Sequence, residues 1–119
     1  MGTFSDTDFD LEPGRVKELV ESGEAQLVDV REPYEWEAGR ISSAHHIELE
    51  HLASHADELD KEKPVIFHCR LGRRSALATD AFRAVGFDAY NMRGGIQAWA
   101  EAGLPLEPEG GEVAAHGPD

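Results

Sequence analysis

The chain has 119 residues, 40% of them hydrophobic and 29% charged, the size and balance of one soluble globular domain. Its formal net charge of -13 at pH 7 argues against nucleic acid and anionic membranes as partners, since a phosphate surface would be repelled over most of the molecule. No apolar run approaches the roughly 20 residues that span a bilayer, and the acidic start "MGTFSDTDFD" has neither the basic nor the apolar segment of a secretory signal, so a cytoplasmic location is expected.

In chain order, "EPGRVKELVESGE" predicts a helix with Pro13 near its start, Val16, Leu19 and Val20 on one face, and Gly23 as its stop. "AQLVDV" reads as a buried strand ending near Asp29. "REPYEWEAGRISSA" is turn-rich, with room for one helical turn carrying Tyr34 and Trp36; both Trp36 and Trp99 are expected in the core. "HHIEL" suits a short strand and "EHLASHADEL" a short amphipathic helix with Leu52 and Leu59 inward. His51 and His55 fall i, i+4 on it, but no cysteine accompanies them, and no metal is assigned. "VIFH" is a second strong strand. Ser75 to Val85 follows as a helix, with Leu77, Ala81, Phe82 and Val85 as its apolar face and Gly86 at its end. "FDAYNM" is a further strand, and "GGIQAWAEAG" a last helix presenting Ile96 and Trp99. Residues 106–119 turn to Gly, Glu, Ala and Pro without periodicity, which predicts a disordered tail.

Strands alternating with helices predict an α/β domain: one mainly parallel sheet flanked by helices on both faces. Ligands of such folds gather at the carboxyl ends of the strands. Cys69 occupies that place after "VIFH", and "DVRE" the same place after "QLVDV".

Cys69 is the only cysteine, which rules out an internal disulfide and points to a reducing compartment or a reactive thiol. Around it, "HCRLGRRS" gathers Arg70, Arg73 and Arg74, three of only eleven basic residues in an acidic chain. A thiol on a turn that opens a helix meets converging backbone N–H groups and the positive end of the helix dipole, and the arginines act in the same direction. Gly72 lets the turn close tightly. The expected product is a thiolate in an anion-binding cradle. His68, one position earlier in an extended strand, points away from the thiol and reads as structural.

Two chemistries use such a cradle. In phosphoryl transfer the thiolate attacks a phosphate monoester; in sulfur transfer it takes up a sulfane sulfur. A phosphoryl group needs the larger loop, with an arginine six positions beyond the cysteine. That position is Ser75 here, and arginine arrives one residue early at Arg74, so the short loop favours sulfur. The rivals are a cysteine-dependent phosphatase or arsenate reductase, and a non-catalytic binding or regulatory module with a vestigial loop.

"CRLGRRS" resembles the active-site loop of the rhodanese family, commonly C-x-x-G-x-[RST]-[ST]. "LVDVREPYEWEAGRI" is similar to the family's first signature and "NMRGGIQAWAEAGLP" to its last, at the spacing of a single-domain member. The segment "GRISSAHHI" departs from the usual G-H-I-P-G-A-x-N-I at Arg40, Ser42, Ser43 and His46, which bears on a local turn more than on the chemistry.

The resemblance implies a rhodanese-like domain over residues 8–105 acting as a thiosulfate sulfurtransferase without a cofactor. Cys69 becomes the persulfide. Backbone N–H groups from Leu71 through Ser75, by way of Gly72, Arg73 and Arg74, surround its outer sulfur. Arg70, Arg73 and Arg74 attract a small anionic donor, thiosulfate or a small persulfide. Ser75 at the helix start also reads as an N-cap. Asp29 and Arg31 are a fold-supporting pair, and Gly94 and Gly95 form a tight turn. With no second cysteine, the persulfide requires an outside acceptor, cyanide or a thiol on a small molecule or protein.

Overall fold

The computed structural model describes residues 9–116; the remaining residues at both ends, including the last three of the expected tail, lie outside the described ones. Five parallel strands form one sheet in the order β1-β5-β4-β2-β3, comprising β1 (Asp10–Leu11), β2 (Gln26–Asp29), β3 (His45–His46), β4 (Val65–His68) and β5 (Ala89–Met92). Parallel neighbours need crossovers, and helices α1 (Pro13–Glu21), α2 (Pro33–Ala38) and α3 (Arg73–Ala84) supply most of them, while α4 (Gly95–Glu101) follows the last strand. The two-residue edge strand β1 is an element that hydrophobic periodicity did not signal.

Strand alternation sends neighbouring side chains to opposite faces and divides the core in two. Leu27, Ile66, Tyr90 and Met92 meet Val16, Leu19, Ile96 and Trp99 of α1 and α4. Val28, Val65, Phe67 and Ala89 meet Ala78 and Phe82 of α3, together with Leu52 and Leu59. β4 lies at the centre with all four residues buried, which explains its uninterrupted apolar run. The predicted helix around Leu52 is two 3-10 segments, Leu49–His51 and Ala53–Glu58, with Leu52 and Leu59 inward as expected.

Three expectations change. The first concerns α3, where Ser75, Ala78, Thr79 and Phe82 face inward, whereas Leu77 and Val85 are 64% and 63% exposed and Ala81 is exposed as well. Ser75 is committed to the cysteine loop, and Leu77, two residues on, is rotated by about 200° away from it. A polar contact at the helix start thus overrides the apolar pattern in setting the helix phase. The second concerns Trp36, which is half-buried and not in the core: the His46 ring stacks on it with centroids 4.8 Å apart, and the Arg40 guanidinium lies 5.4 Å from its centre. Two of the four residues departing from the family pattern therefore pack on one indole.

The third concerns the chain end. Residues 106–116, expected to be disordered, run back along the exit of α2. Arg40 and Glu107 exchange both backbone hydrogen bonds (2.8 and 2.7 Å), Glu112 N–H reaches Ala38 O at 2.9 Å, and Leu106 and Val113 cover the core behind α1 and α4. Composition alone could not foresee this, because only two apolar residues of a polar stretch do the packing. Ending the chain after Pro105 should lower the unfolding free energy by about 2 kcal/mol, read from a urea titration. An unchanged midpoint would show that the segment contributes nothing.

Candidate active site

Between β4 and α3 the chain turns in four residues, and Cys69 is fully buried at the start of that turn. Its Sγ accepts from the N–H of Gly72 (3.1 Å) and of Ser75 (3.4 Å), with Ser75 Oγ at 3.3 Å. For N–H groups to face the sulfur, the carbonyls of the turn must face elsewhere. The start of α4 receives them: Ile96 N–H donates to Cys69 O (2.9 Å) and Gln97 N–H to Arg70 O (3.0 Å). This close approach requires glycine at position 95, since a Cβ there would overlap both carbonyl oxygens. Gly72 has φ +107° at the helix cap, a left-handed conformation that side chains rarely adopt. Gly94 and Gly95 are therefore the back wall of the loop as well as a turn.

The arginines separate. Arg74 forms two parallel bonds to the Glu35 carboxylate, Nη1 to Oε1 and Nη2 to Oε2, both 2.9 Å. Glu35 is fully buried and also accepts the Glu32 N–H at 2.9 Å, so this pair clamps α2 to the cysteine loop. Arg74 was expected to receive an anion; its charge is instead matched by Glu35. Arg73, the first residue of α3, is exposed, and Arg70 on the turn is half-buried. Leu71 lies at the rim, 41% exposed.

Ser75 is not the N-cap, a place held by Gly72. Its hydroxyl lies 2.6 Å from Asn91 Oδ1 on β5. Asn91 was not singled out from sequence. In an apolar strand it reads only as an odd polar residue, and its partners are distant in the chain. Glu35 was also missed, although "EPYE" carries the capping-box spacing that holds its backbone end.

Asp29 and Arg31 form a fully buried pair, Nε to Oδ1 at 2.9 Å and Nη2 to Oδ2 at 2.8 Å, and Arg31 Nη2 also reaches Gly39 O at 2.8 Å. Asp29, at the end of β2, projects toward the α1–α4 side with Leu27, and Arg31 two residues on meets it there, whereas Cys69 belongs to the α3 side. The pair therefore pins the exit of α2 and does not face the thiol. His68 shares their side: its Nε2 stands 3.6 Å from Asp29 Oδ2, and its Nδ1 contacts Cys69 O at 3.3 Å.

The pattern of the rhodanese-like domain matches residues 12–102. The chain belongs to the rhodanese-like domain family. It is 34% identical over 111 residues to the thiosulfate sulfurtransferase GlpE of Pseudomonas aeruginosa, covering 92% of this chain and 99% of the relative. A rhodanese-related protein of Thermoplasma volcanium superposes with a TM-score of 0.77 at 29% identity, over 84% of this chain and 98% of the other. A Rhodopseudomonas palustris protein described as a possible tyrosine phosphatase superposes with a TM-score of 0.74 at 28% identity, over 85% and 86% of the two chains.

Within this rhodanese-like domain the buried ionisable groups predict its acid behaviour. Burial drives the His68 ring toward its neutral form; the Asp29 carboxylate opposes this and the Arg31 cation reinforces it, leaving His68 below its ordinary 6.5. Burial also disfavours charge on Asp29, and a charged His68 would favour it. With the ring neutral, the Arg31 cation and its side-chain and backbone hydrogen bonds hold Asp29 below its ordinary 3.8.

Both shifts are downward, so the unfolded chain binds more protons than the folded one as pH falls. The contribution of His68 is complete above pH 6.5 and is lost below it; that of Asp29 is complete above 3.8 and is lost at lower pH. Urea titrations of His68→Gln should therefore show a shallower loss of stability between pH 6.5 and about 5 than the parent chain shows. Equal slopes would remove His68 as the cause.

Breaking the clamp gives a second expectation. Arg74→Ala leaves the buried Glu35 carboxylate without its cation, and should cost about 3 kcal/mol of stability. The double variant Arg74→Met, Glu35→Leu should recover most of that loss. A neutral single variant would mean that Glu35 finds solvent.

Proposed function

We propose that the protein is a thiosulfate sulfurtransferase with Cys69 as its nucleophile. The carrying observation is the Sγ atom enclosed at 3.1–3.4 Å by the Gly72 and Ser75 donors, on a turn of the short length that suits one added sulfur. Arg70 and Arg73, whose charges stand out from an acidic chain, draw a small anionic donor toward the loop. Similarity to a thiosulfate sulfurtransferase over nearly the whole of both chains supports the choice of donor.

In the first step the Cys69 thiolate attacks the outer sulfur of thiosulfate. The sulfur–sulfur bond of the donor breaks, sulfite leaves with the electron pair, and Cys69 carries a persulfide. In the second step a cyanide ion or thiolate attacks that outer sulfur, the Cys69 sulfur leaves as thiolate, and the acceptor departs as thiocyanate or a persulfide. No cofactor or metal enters either step. A lone thiol that must stay reduced suits the cytoplasm.

The arrangement gives less to a phosphatase. The arginine that would grip a phosphoryl group stands one position early and is held by Glu35. A purely regulatory module would have no use for an enclosed thiol with its donors in place.

Treating the protein with thiosulfate and measuring its intact mass should reveal one added sulfur atom, absent in Cys69→Ser and removed by cyanide. An unchanged mass accompanied by Cys69-dependent aryl phosphate hydrolysis would replace this reading with the phosphatase one.

A further inference from the structure

Ser75 Oγ has one hydrogen and two neighbours that could receive it: Asn91 Oδ1 at 2.6 Å and Cys69 Sγ at 3.3 Å. The surroundings of Asn91 decide between them. Its amide nitrogen faces two acceptors, Asp10 Oδ1 at 3.1 Å and Gly72 O at 3.3 Å. Turning the amide over would set its oxygen against both, so the oxygen must face Ser75. As an acceptor only, that oxygen claims the hydroxyl hydrogen, and the lone pairs of Ser75 Oγ are left toward the sulfur.

We infer that Asn91 is a positioning residue of the cysteine loop, withholding the Ser75 hydroxyl as a donor to Cys69 and joining the Gly72 and Ser75 walls of the sulfur cradle from β5. The inference rests on reading Cys69 as the sulfur-carrying nucleophile. In the resting site the thiol can donate to Ser75 Oγ. Once ionised, the sulfur is held by the two backbone donors of Gly72 and Ser75, with the hydroxyl turned away. A thiolate with fewer donors is less stabilised, and it is the stronger nucleophile for that reason. Asp10, partly exposed on β1 and 4.0 Å from Arg93, closes the far end of the chain of contacts. A surface carboxylate, a buried amide and a hydroxyl thus form one oriented line ending at the sulfur.

The alkylation rate with iodoacetamide, measured at about pH 6 and about pH 9, reports this direction, because a change in access scales both rates whereas a change in donors shifts their ratio. The charged and titratable groups around the loop are the Glu35–Arg74 pair, Arg70, Arg73, His68 and Asp10, and all of them remain in every variant. Asn91→Ala frees the hydroxyl to donate to the thiolate, and should raise the ratio of the acid to the alkaline rate about fivefold. Ser75→Ala alone should change the ratio less than about twofold, and should abolish the response to Asn91→Ala when the two are combined.

An unchanged or lower ratio in Asn91→Ala overturns the inference, as does an Asn91 response that persists without Ser75. If the Asn91 variant does not fold, Ser75→Ala decides alone: a loss of about fivefold would show that the hydroxyl donates to sulfur in the parent chain. Sulfur loading of the parent chain, read by mass in parallel, tests the sulfurtransferase reading separately from the hydroxyl direction.

Discussion

The structure depends on the direction of the peptide groups in the turn from Cys69 to Gly72. N–H groups can converge on one sulfur atom only if the carbonyls of the same turn point outward, and each buried carbonyl then needs a donor elsewhere. Two of those donors come from α4, at Ile96 and Gln97, and another is the side-chain amide of Asn91, which reaches Gly72 O. The glycine that opens α4, the polar residue on β5 and the left-handed Gly72 are therefore one arrangement seen from three places. None of them is explained by the sulfur alone.

Charge follows a similar division of labour. The arginines of the loop look equivalent in sequence, but Arg74 is drawn to a buried carboxylate and becomes a structural clamp between the loop and α2. Arg31 does the same for Asp29 on the other side of the sheet. The two pairs fasten the segments that follow β2 and β4 at the carboxyl end of the sheet, where parallel folds place their chemistry. Arg70 and Arg73 remain as a small positive feature beside the thiol of a strongly acidic molecule. Local field rather than net charge governs what approaches the thiol.

The site also reaches into the packing of the fold. Ser75 is turned toward Asn91 and the sulfur, and α3 takes its phase from that residue, so that Ala78 and Phe82 enter the core while Leu77 and Val85 face solvent. An apolar pattern by itself would have rotated the helix otherwise. The helix surrenders some burial so that the cysteine loop can close.

By itself the sequence determined the order of strands and helices, the parallel α/β class, and the placing of one thiol at a strand-to-helix turn within a rhodanese-like pattern. Those features are local: periodicity, glycine and proline punctuation, and motifs a few residues long carry them. The short strand at Asp10 was too brief to show a period, and the packing of residues 106–116 rests on two apolar side chains in a polar stretch. Tertiary structure alone decided which arginine is engaged and where the Ser75 hydroxyl points. The partners concerned, Glu35 with Arg74, Ser75 with Asn91 and Asn91 with Asp10, are 39, 16 and 81 residues apart in the chain. Such contacts follow from how the strands are ordered in the sheet, and no spacing of residue types along the chain encodes the direction of a single hydrogen bond.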